Sequence, residues 1–213
     1  MIVNEFLTIL MVIIIGYFLG SVPTAYIVTR LKTGKDIRKL GGGNVGGLNT
    51  LKEVGLVPAI VVALIDLCKG AAAVAITHWA LRLDRPYVLL AVIAAVIGHN
   101  WMVWLKFNGG KGMGASVGAL VIIMPICGYS LGLAVFFVIV AIPLLLTRNV
   151  ALSMGLGLLA LPFIFWLGGT HSGMLVIWSV VIGLIIAGKF TPTALRALAK
   201  TKNIKDFIEN KGS

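Results

Sequence analysis

The sequence predicts an all-α, polytopic membrane protein with about seven transmembrane helices, its N-terminus outside and its C-terminus cytoplasmic. Three observations predict it. Of 213 residues, 59% are hydrophobic and only 12% are charged, whereas a soluble domain needs roughly a quarter charged residues to cover its surface. The apolar residues come in long runs, each near the ~20 residues that a ~30 Å hydrocarbon core requires. Nearly all the Lys and Arg residues lie between those runs, collected on one side.

The runs place helices at 6–28, 56–78, 87–105, 113–127, 129–147, 150–168 and 172–190. The fourth is short. The division between the fourth and fifth rests on Pro125 to Gly128, where a helix-breaking pair interrupts the run. The start, Met1 to Glu5, has no Lys or Arg, and no small-x-small pattern follows the long first run, so no cleaved signal peptide is expected. One membrane domain, 1–213, accounts for the whole length.

The charge map sets the orientation. Arg30, Lys32, Lys35, Arg38, Lys39 and Lys52 fall in the first loop, Lys106 and Lys111 near 105–112, Arg148 between the fifth and sixth spans, and Lys189, Arg196, Lys200, Lys202, Lys205 and Lys211 at the end. The opposite side has only Arg82 and Arg85, and Lys69 lies inside a span. The positive-inside rule therefore turns the first loop and the C-terminus toward the cytoplasm. The same rule explains the net charge of +11 and excludes nucleic acid as a partner, since no basic soluble face with interleaved aromatics exists. The two cysteines, Cys68 and Cys127, make neither a metal spacing nor a disulfide framework. No metal-ligand cluster and no cofactor are expected.

Small-xxx-small pairs at Gly16/Gly20, Gly114/Gly118 and Gly128/Gly132 predict close helix packing. Tyr17, Trp79, Trp101, Trp104 and Tyr129 are expected as interface anchors, and His78 and His171 as ordinary interfacial residues.

Chemistry concentrates in two loops. The first runs from Asp36 to Lys52 and holds Gly41, Gly42, Gly43, Gly46 and Gly47 within seven residues. Glycines let main-chain N–H groups approach a ligand closely, and successive N–H groups form an anion nest. Arg38, Lys39 and Lys52 flank it, while Asn44 and Asn49 add amide donors, so the stretch resembles a phosphate cradle. A plain linker would favour Ser and Gly without ordered basic flanks. The second loop holds Gly98-His99-Asn100-Trp101 and then Gly109-Gly110-Lys111-Gly112, which opens into the fourth helix. A helix N-terminus attracts anions, and Lys111 adds a full positive charge. The Walker A spacing is missing. His99 is expected as a catalytic base or as a positioning hydrogen-bond partner. Asp66 and Lys69 share one helix face three residues apart and are expected to pair toward the bundle interior, as a structural ion pair or a proton path.

At these loops the sequence resembles a divergent member of the bacterial membrane glycerol-3-phosphate acyltransferases that use acyl phosphate as donor. The matching stretches are Gly20-Ser21, Asp36-Ile37-Arg38, Gly41 to Asn49, Asp66 to Gly70, Gly98-His99, Phe107 to Gly112 and, weakly, Asn203-Ile204. The resemblance implies seven membrane helices and transfer of a fatty acyl group from acyl phosphate to the first-position hydroxyl of glycerol 3-phosphate. It implies an active site facing the cytoplasm at the cell inner membrane, with membrane lipid around it, and no coenzyme A. The His-x4-Asp motif of acyl-CoA acyltransferases is absent at all three histidines. By the same resemblance Lys111, Asn44 and Asn49 are catalytic. Arg38, Gly41, Gly42, Gly43, Gly46, Gly47, Lys52, His99, Gly109, Gly110, Gly112, Lys200 and Asn203 bind substrate. The chain departs from the family where Gly42 replaces serine, Leu48 threonine, Lys52 arginine, Met102 proline and Asn108 lysine. Ala151 stands for a serine (Ser153 is close), Lys200 for a histidine and Asp206 for an arginine. Two other readings are a catalytically weak paralogue that binds phosphorylated lipid precursors and a phosphate or anion transporter. No internal repeat supports the transporter.

Overall fold

Pro23 shapes the first part of the chain. Lacking an N–H and clashing with the preceding turn, it ends one helix and opens another. In a computed structural model, which describes residues 2–168 and 172–198, helix α1 covers Ile2–Ser21 and α2 covers Thr24–Thr33. The predicted first span, 6–28, is therefore two helices. Gly34, at φ 70°, closes α2 by donating its N–H to the Arg30 carbonyl, a left-handed position that glycine fills without a Cβ penalty.

The remaining helices are α3 (Gly47–Glu53), α4 (Leu56–Ala75), α5 (Arg85–Asn100), α6 (Met113–Ile126), α7 (Ser130–Thr147), α8 (Val150–Leu167) and α9 (Gly173–Leu198). Among the described residues there is no strand. The predicted third span, 87–105, lies within the membrane-crossing stretch Arg85–Leu105, in which α5 itself stops at Asn100 and a 3₁₀ turn, Val103–Leu105, follows. The last span fell short, because α9 continues to Leu198 after its most apolar stretch ends. Pro125 to Gly128 is a true boundary: Gly128 takes φ 83° between α6 and α7.

Six described stretches are long and apolar enough to cross a membrane: Asn4–Thr33, Leu56–Ala80, Arg85–Leu105, Ser130–Thr147, Val150–Leu167 and Gly173–Pro192. Helix α6, at 14 residues, reaches about 21 Å at 1.5 Å per residue, less than a hydrocarbon core. Large apolar side chains face outward, Leu145 and Leu146 at 80% exposure among them, which only a lipid surround makes favourable.

The chain forms two compact units, the first ending at Ile123 and the second beginning at Met124. In the first, α1 and α5 approach closely. A Cβ on Gly16 or Gly20 would strike the carbonyl oxygens of Ala91 and Ala95, and one on Gly98 would strike that of Tyr17. Helices α4 and α6 meet the same way, Gly70 against Ala115 and Gly118 against Leu67. Without a hydrophobic drive between helices in lipid, such close approach supplies the packing energy. In the second unit α8 packs between contacts with α7 and α9. The Tyr129 hydroxyl donates to the Phe165 carbonyl at 3.0 Å, and Tyr129 is 3% exposed. This corrects its expected place as an interface anchor. The Gly128/Gly132 pair is likewise not a helical pair, since Gly128 sits in the turn; only Gly132 packs, against Ile164 and Met124.

Candidate active site

The first loop is tied down by its own polar groups. Asp36 caps the turn Ile37–Lys39, its carboxylate accepting the Arg38 backbone N–H at 3.0 Å. The same carboxylate takes the Arg38 guanidinium, Nη2 to Oδ2 at 2.6 Å and Nε to Oδ1 at 3.0 Å. The guanidinium holds the Asp36 carboxyl below its ordinary range, and the carboxylate in turn raises Arg38. Arg38 also lies over the Tyr26 ring, 5.4 Å from its centre, and reaches the Leu105 carbonyl at 3.3 Å. Its described contacts tie the two loops together.

Asn49 stitches the glycine run. Its Nδ2 donates to the Leu40 carbonyl at 3.0 Å and the Ile37 carbonyl at 3.4 Å, and its Oδ1 accepts the Gly42 N–H at 3.3 Å. Both ends of the amide are thus engaged by main chain. The turn itself closes when the Gly43 N–H donates to Leu40 at 2.9 Å, with Gly43 at φ 70°, a conformation that favours glycine. Asn44 is half-buried beside Gly46, and Gly41 and Gly42 are exposed. The Glu53 carboxylate lies against Gly41, and Lys52 is exposed on α3.

The second loop folds back onto the end of α5. The Gly110 N–H donates to the His99 carbonyl at 2.9 Å. The His99 imidazole fills the space where a Gly110 Cβ would be, and a Cβ on Gly109 would strike the His99 carbonyl oxygen. Gly112, at φ 74°, packs on Val96 and Asn100. The Leu105 carbonyl accepts from Asn108 Nδ2 at 3.1 Å as well as from Arg38. Lys111 is half-buried, and this burial pushes its ammonium below the ordinary lysine value.

The two loops meet. A Cβ on Gly110 would lie 2.8 Å from the Val45 carbonyl oxygen. Beneath them Ile37, Val45, Met102 and Leu105 share one buried apolar cluster with Ala25 and Val62. The structure therefore gathers Arg38, the first-loop glycines, Asn44, Asn49, His99, Gly109, Gly110, Lys111 and Gly112 in the first unit, with Lys52 on the outer face of α3. Lys200 and Asn203 lie outside the described residues, as does His171. Ser153 is buried with its hydroxyl donating to the Asn149 carbonyl at 2.8 Å. Among the described residues no three His, Cys, Asp or Glu side chains come together to hold a metal ion.

Two features escaped sequence reasoning. Asn100 is 0% exposed, and its amide has no hydrogen-bond partner among the described residues; a polar residue at the end of an apolar helix was its only signal. Lys69 donates to the Val22 carbonyl at 2.6 Å as well as to Asp66 at 2.7 Å. Pro23 signalled a break between helices, but no spacing told that Lys69 would reach the Val22 carbonyl there.

Residues 10–200 match the glycerol-3-phosphate acyltransferase family. Glycerol-3-phosphate acyltransferase 1 of Dehalococcoides mccartyi is 47% identical over 196 residues, covering 92% of this chain and 91% of that protein. The glycerol-3-phosphate acyltransferase of Parasynechococcus marenigrum is 35% identical over 196 residues, covering 92% and 89%. The crystal structure of PlsY, an integral membrane glycerol 3-phosphate acyltransferase, in its glycerol 3-phosphate form has a TM-score of 0.79 at 25% identity, covering 90% of this chain and 92% of that one. Carrying the family's match across almost its whole length and sharing its helical membrane fold, the chain belongs to the glycerol-3-phosphate acyltransferase family.

Proposed function

We propose that this membrane enzyme moves a fatty acyl group from acyl phosphate to the sn-1 hydroxyl of glycerol 3-phosphate. The products are lysophosphatidate and inorganic phosphate, and the work is done by one membrane domain at the cytoplasmic face of the cell's inner membrane. The observation that carries this reading is the contact of Gly110 with the Val45 carbonyl. Two glycine loops that touch hold their occupants close enough for one acyl carbon to pass between them. The family match supports the acceptor, and the collected Lys and Arg residues support the cytoplasmic orientation.

In this mechanism the glycine run cradles one phosphoryl group through the main-chain N–H groups of Gly41, Gly46 and Gly47, helped by Asn44 and by Lys52 at the rim, while Gly42 and Gly43, whose N–H groups bond to Asn49 and Leu40, shape the turn. Gly109, Gly110, Gly112 and Lys111 receive the other, at the start of α6, where the helix dipole favours an anion. The acceptor hydroxyl oxygen attacks the acyl carbon, the carbon–oxygen bond to phosphate breaks, and the phosphate leaves with the electron pair. The acceptor's own phosphate takes the hydroxyl proton. Lys111 stabilises charge on the departing phosphate, and its half-buried site makes that attraction stronger than it would be in water. Asn49 shapes the cradle by holding Leu40, Ile37 and Gly42, so it acts through the loop. Lys200 and Asn203 are further substrate-binding residues in this reading, by resemblance to the family alone.

The test supplies the purified protein with palmitoyl phosphate and labelled glycerol 3-phosphate, and in parallel with palmitoyl coenzyme A. Labelled lysophosphatidate is expected with the first donor alone. Product formed equally from coenzyme A, or none above the no-enzyme blank, would overturn the donor assignment.

A further inference from the structure

Behind the two loops lies a buried polar chain. Lys69, on α4, donates at 2.6 Å to the Val22 carbonyl, which lies where Pro23 separates α1 from α2 and also accepts the Thr24 N–H at 2.9 Å. The same ammonium pairs with Asp66 at 2.7 Å, the two side chains being 4% and 7% exposed. That carboxylate oxygen stands 3.7 Å from Nδ1 of His99. His99 then touches Gly110 twice, through its carbonyl and through its imidazole. On the far side of Lys111, Gly114 packs on the Cβ of Asp66, 3.0 Å from where its own Cβ would be. Lys111 is thus bracketed in sequence by two glycines, Gly110 and Gly114, that rest on members of this one chain.

We propose that Asp66 and Lys69 are positioning residues, which fix His99 and the Gly110–Gly114 stretch and so place Lys111 for acyl transfer. The pair costs more than it returns if it serves stability alone, because desolvating two charges offsets their attraction, and apolar or neutral replacement of both is often neutral. What a neutral pair would not supply is a carboxylate charge 3.7 Å from His99 Nδ1, which acts on the orientation of the ring. A loop of four residues containing three glycines has little stiffness of its own, so its geometry comes from what it rests on.

The proposal rests on the acyl-transfer reading for its kinetic readout but not for its spectroscopic one. The experiment compares the wild-type chain with Asp66→Asn/Lys69→Met in detergent. It measures Tm, kcat and KM with palmitoyl phosphate and glycerol 3-phosphate, and the ¹⁵N spectrum of labelled histidine, with His99 assigned through His99→Gln. The expected result is a Tm near wild type, a kcat lower by about 100-fold from misplaced groups, and a KM within about twofold, as for an interaction made only in the transition state. The Nδ1 and Nε2 signals of His99 are expected to shift. Wild-type kcat in the double variant, or an unchanged His99 spectrum, would show a merely structural pair and overturn the proposal. Should the double variant unfold, Asp66→Glu, which keeps the charge but moves the carboxylate, gives the same two readouts, and wild-type values in both would again overturn it. If the wild-type protein does not use palmitoyl phosphate, the donor assignment fails, while the His99 spectrum still decides this proposal.

Discussion

The carbonyl oxygen of Val45 stands 2.8 Å from the point a Cβ on Gly110 would occupy, so the two glycine loops are in backbone contact with no room for a side chain between them. The His99 imidazole closes the same space from the other side. Position 110 therefore joins three parts of the first unit.

Replacing Gly110 by alanine forces those parts open. The backbone carbonyl of Val45 cannot rotate away as a side-chain tip would. Overpacking of this kind costs about 1–3 kcal/mol, and misplacing reacting groups by about 1 Å costs near 100-fold in rate. Tm and kcat in one detergent preparation check both. The contrast is Gly42→Ser. No heavy atom lies within 4 Å of a Cβ there, and Gly42 is not among the positive-φ residues. Its Tm is expected unchanged and its KM for glycerol 3-phosphate lower, since an added hydroxyl donor to a charged group is worth about 1.5–3 kcal/mol at best.

Lys111 gives a pH prediction with a definite sign. Burial lowers its folded-state pKa from 10.5, so above that lowered value the folded protein has released a proton that the unfolded chain still holds. Stability attributable to this group therefore rises with pH between the lowered value and 10.5. Catalysis runs the other way, because only the ammonium neutralises phosphate. The kcat/KM profile of the free enzyme is expected to fall on an alkaline limb below the ordinary lysine value. Lys111→Arg, always charged, should move that limb upward, and Lys111→Ala should remove turnover. A limb that Lys111→Arg leaves in place would assign it to another group.

Asp36 gives the same direction, stability rising with pH, but in the acid range and from an attraction rather than a burial penalty. Its carboxyl is held low chiefly by the Arg38 hydrogen bonds, so its stabilising contribution is fully present above the unfolded carboxyl value. The contribution disappears as pH falls through the lowered folded value. The Tm gap between wild type and Asp36→Asn is expected at pH 6 and should close toward pH 2. Arg38→Lys should lose nearly as much as Asp36→Asn, because one ammonium cannot make the forked contact.

Asn49→Ala removes the bonds to the Leu40 carbonyl and the Gly42 N–H, though Leu40 keeps the Gly43 N–H and Gly42 is exposed. Each such lost hydrogen bond costs about 0.5–1.5 kcal/mol. The loss should appear in Tm measured without substrate, ahead of any effect specific to turnover. Asn49→Asp should be worse, since it exchanges the Nδ2 donor for an oxygen facing two carbonyls. A variant of normal Tm but no activity would instead make Asn49 a direct ligand.

Much of this was legible in composition and order. Helix class followed from runs of apolar residues, because a bilayer demands internal hydrogen bonding over a set length. The glycine-lysine motifs were visible because glycine and positive charge beside a helix start have few other uses in combination. Their pairing was not visible: Val45 and Gly110 are joined only when α5 turns back at Asn100. The predicted first span lies inside Asn4–Thr33, but the break at Pro23 within it was not visible, because hydropathy does not register a missing N–H. Tyr129 looked like an anchor because its hydroxyl partner, the Phe165 carbonyl, is a backbone group that any residue there would present.

Residue by residue, the sequence determined which segments are apolar enough for lipid, where the cations collect, and which loops concentrate glycine, since these follow from local chemistry. Tertiary structure decided that Arg38 answers to Asp36, that Asn49 serves its own loop, and that Lys69 joins the Pro23 break to Asp66 beside His99. Those assignments depend on which donor lies within about 3 Å of which acceptor, and such distances exist only after the helices have packed.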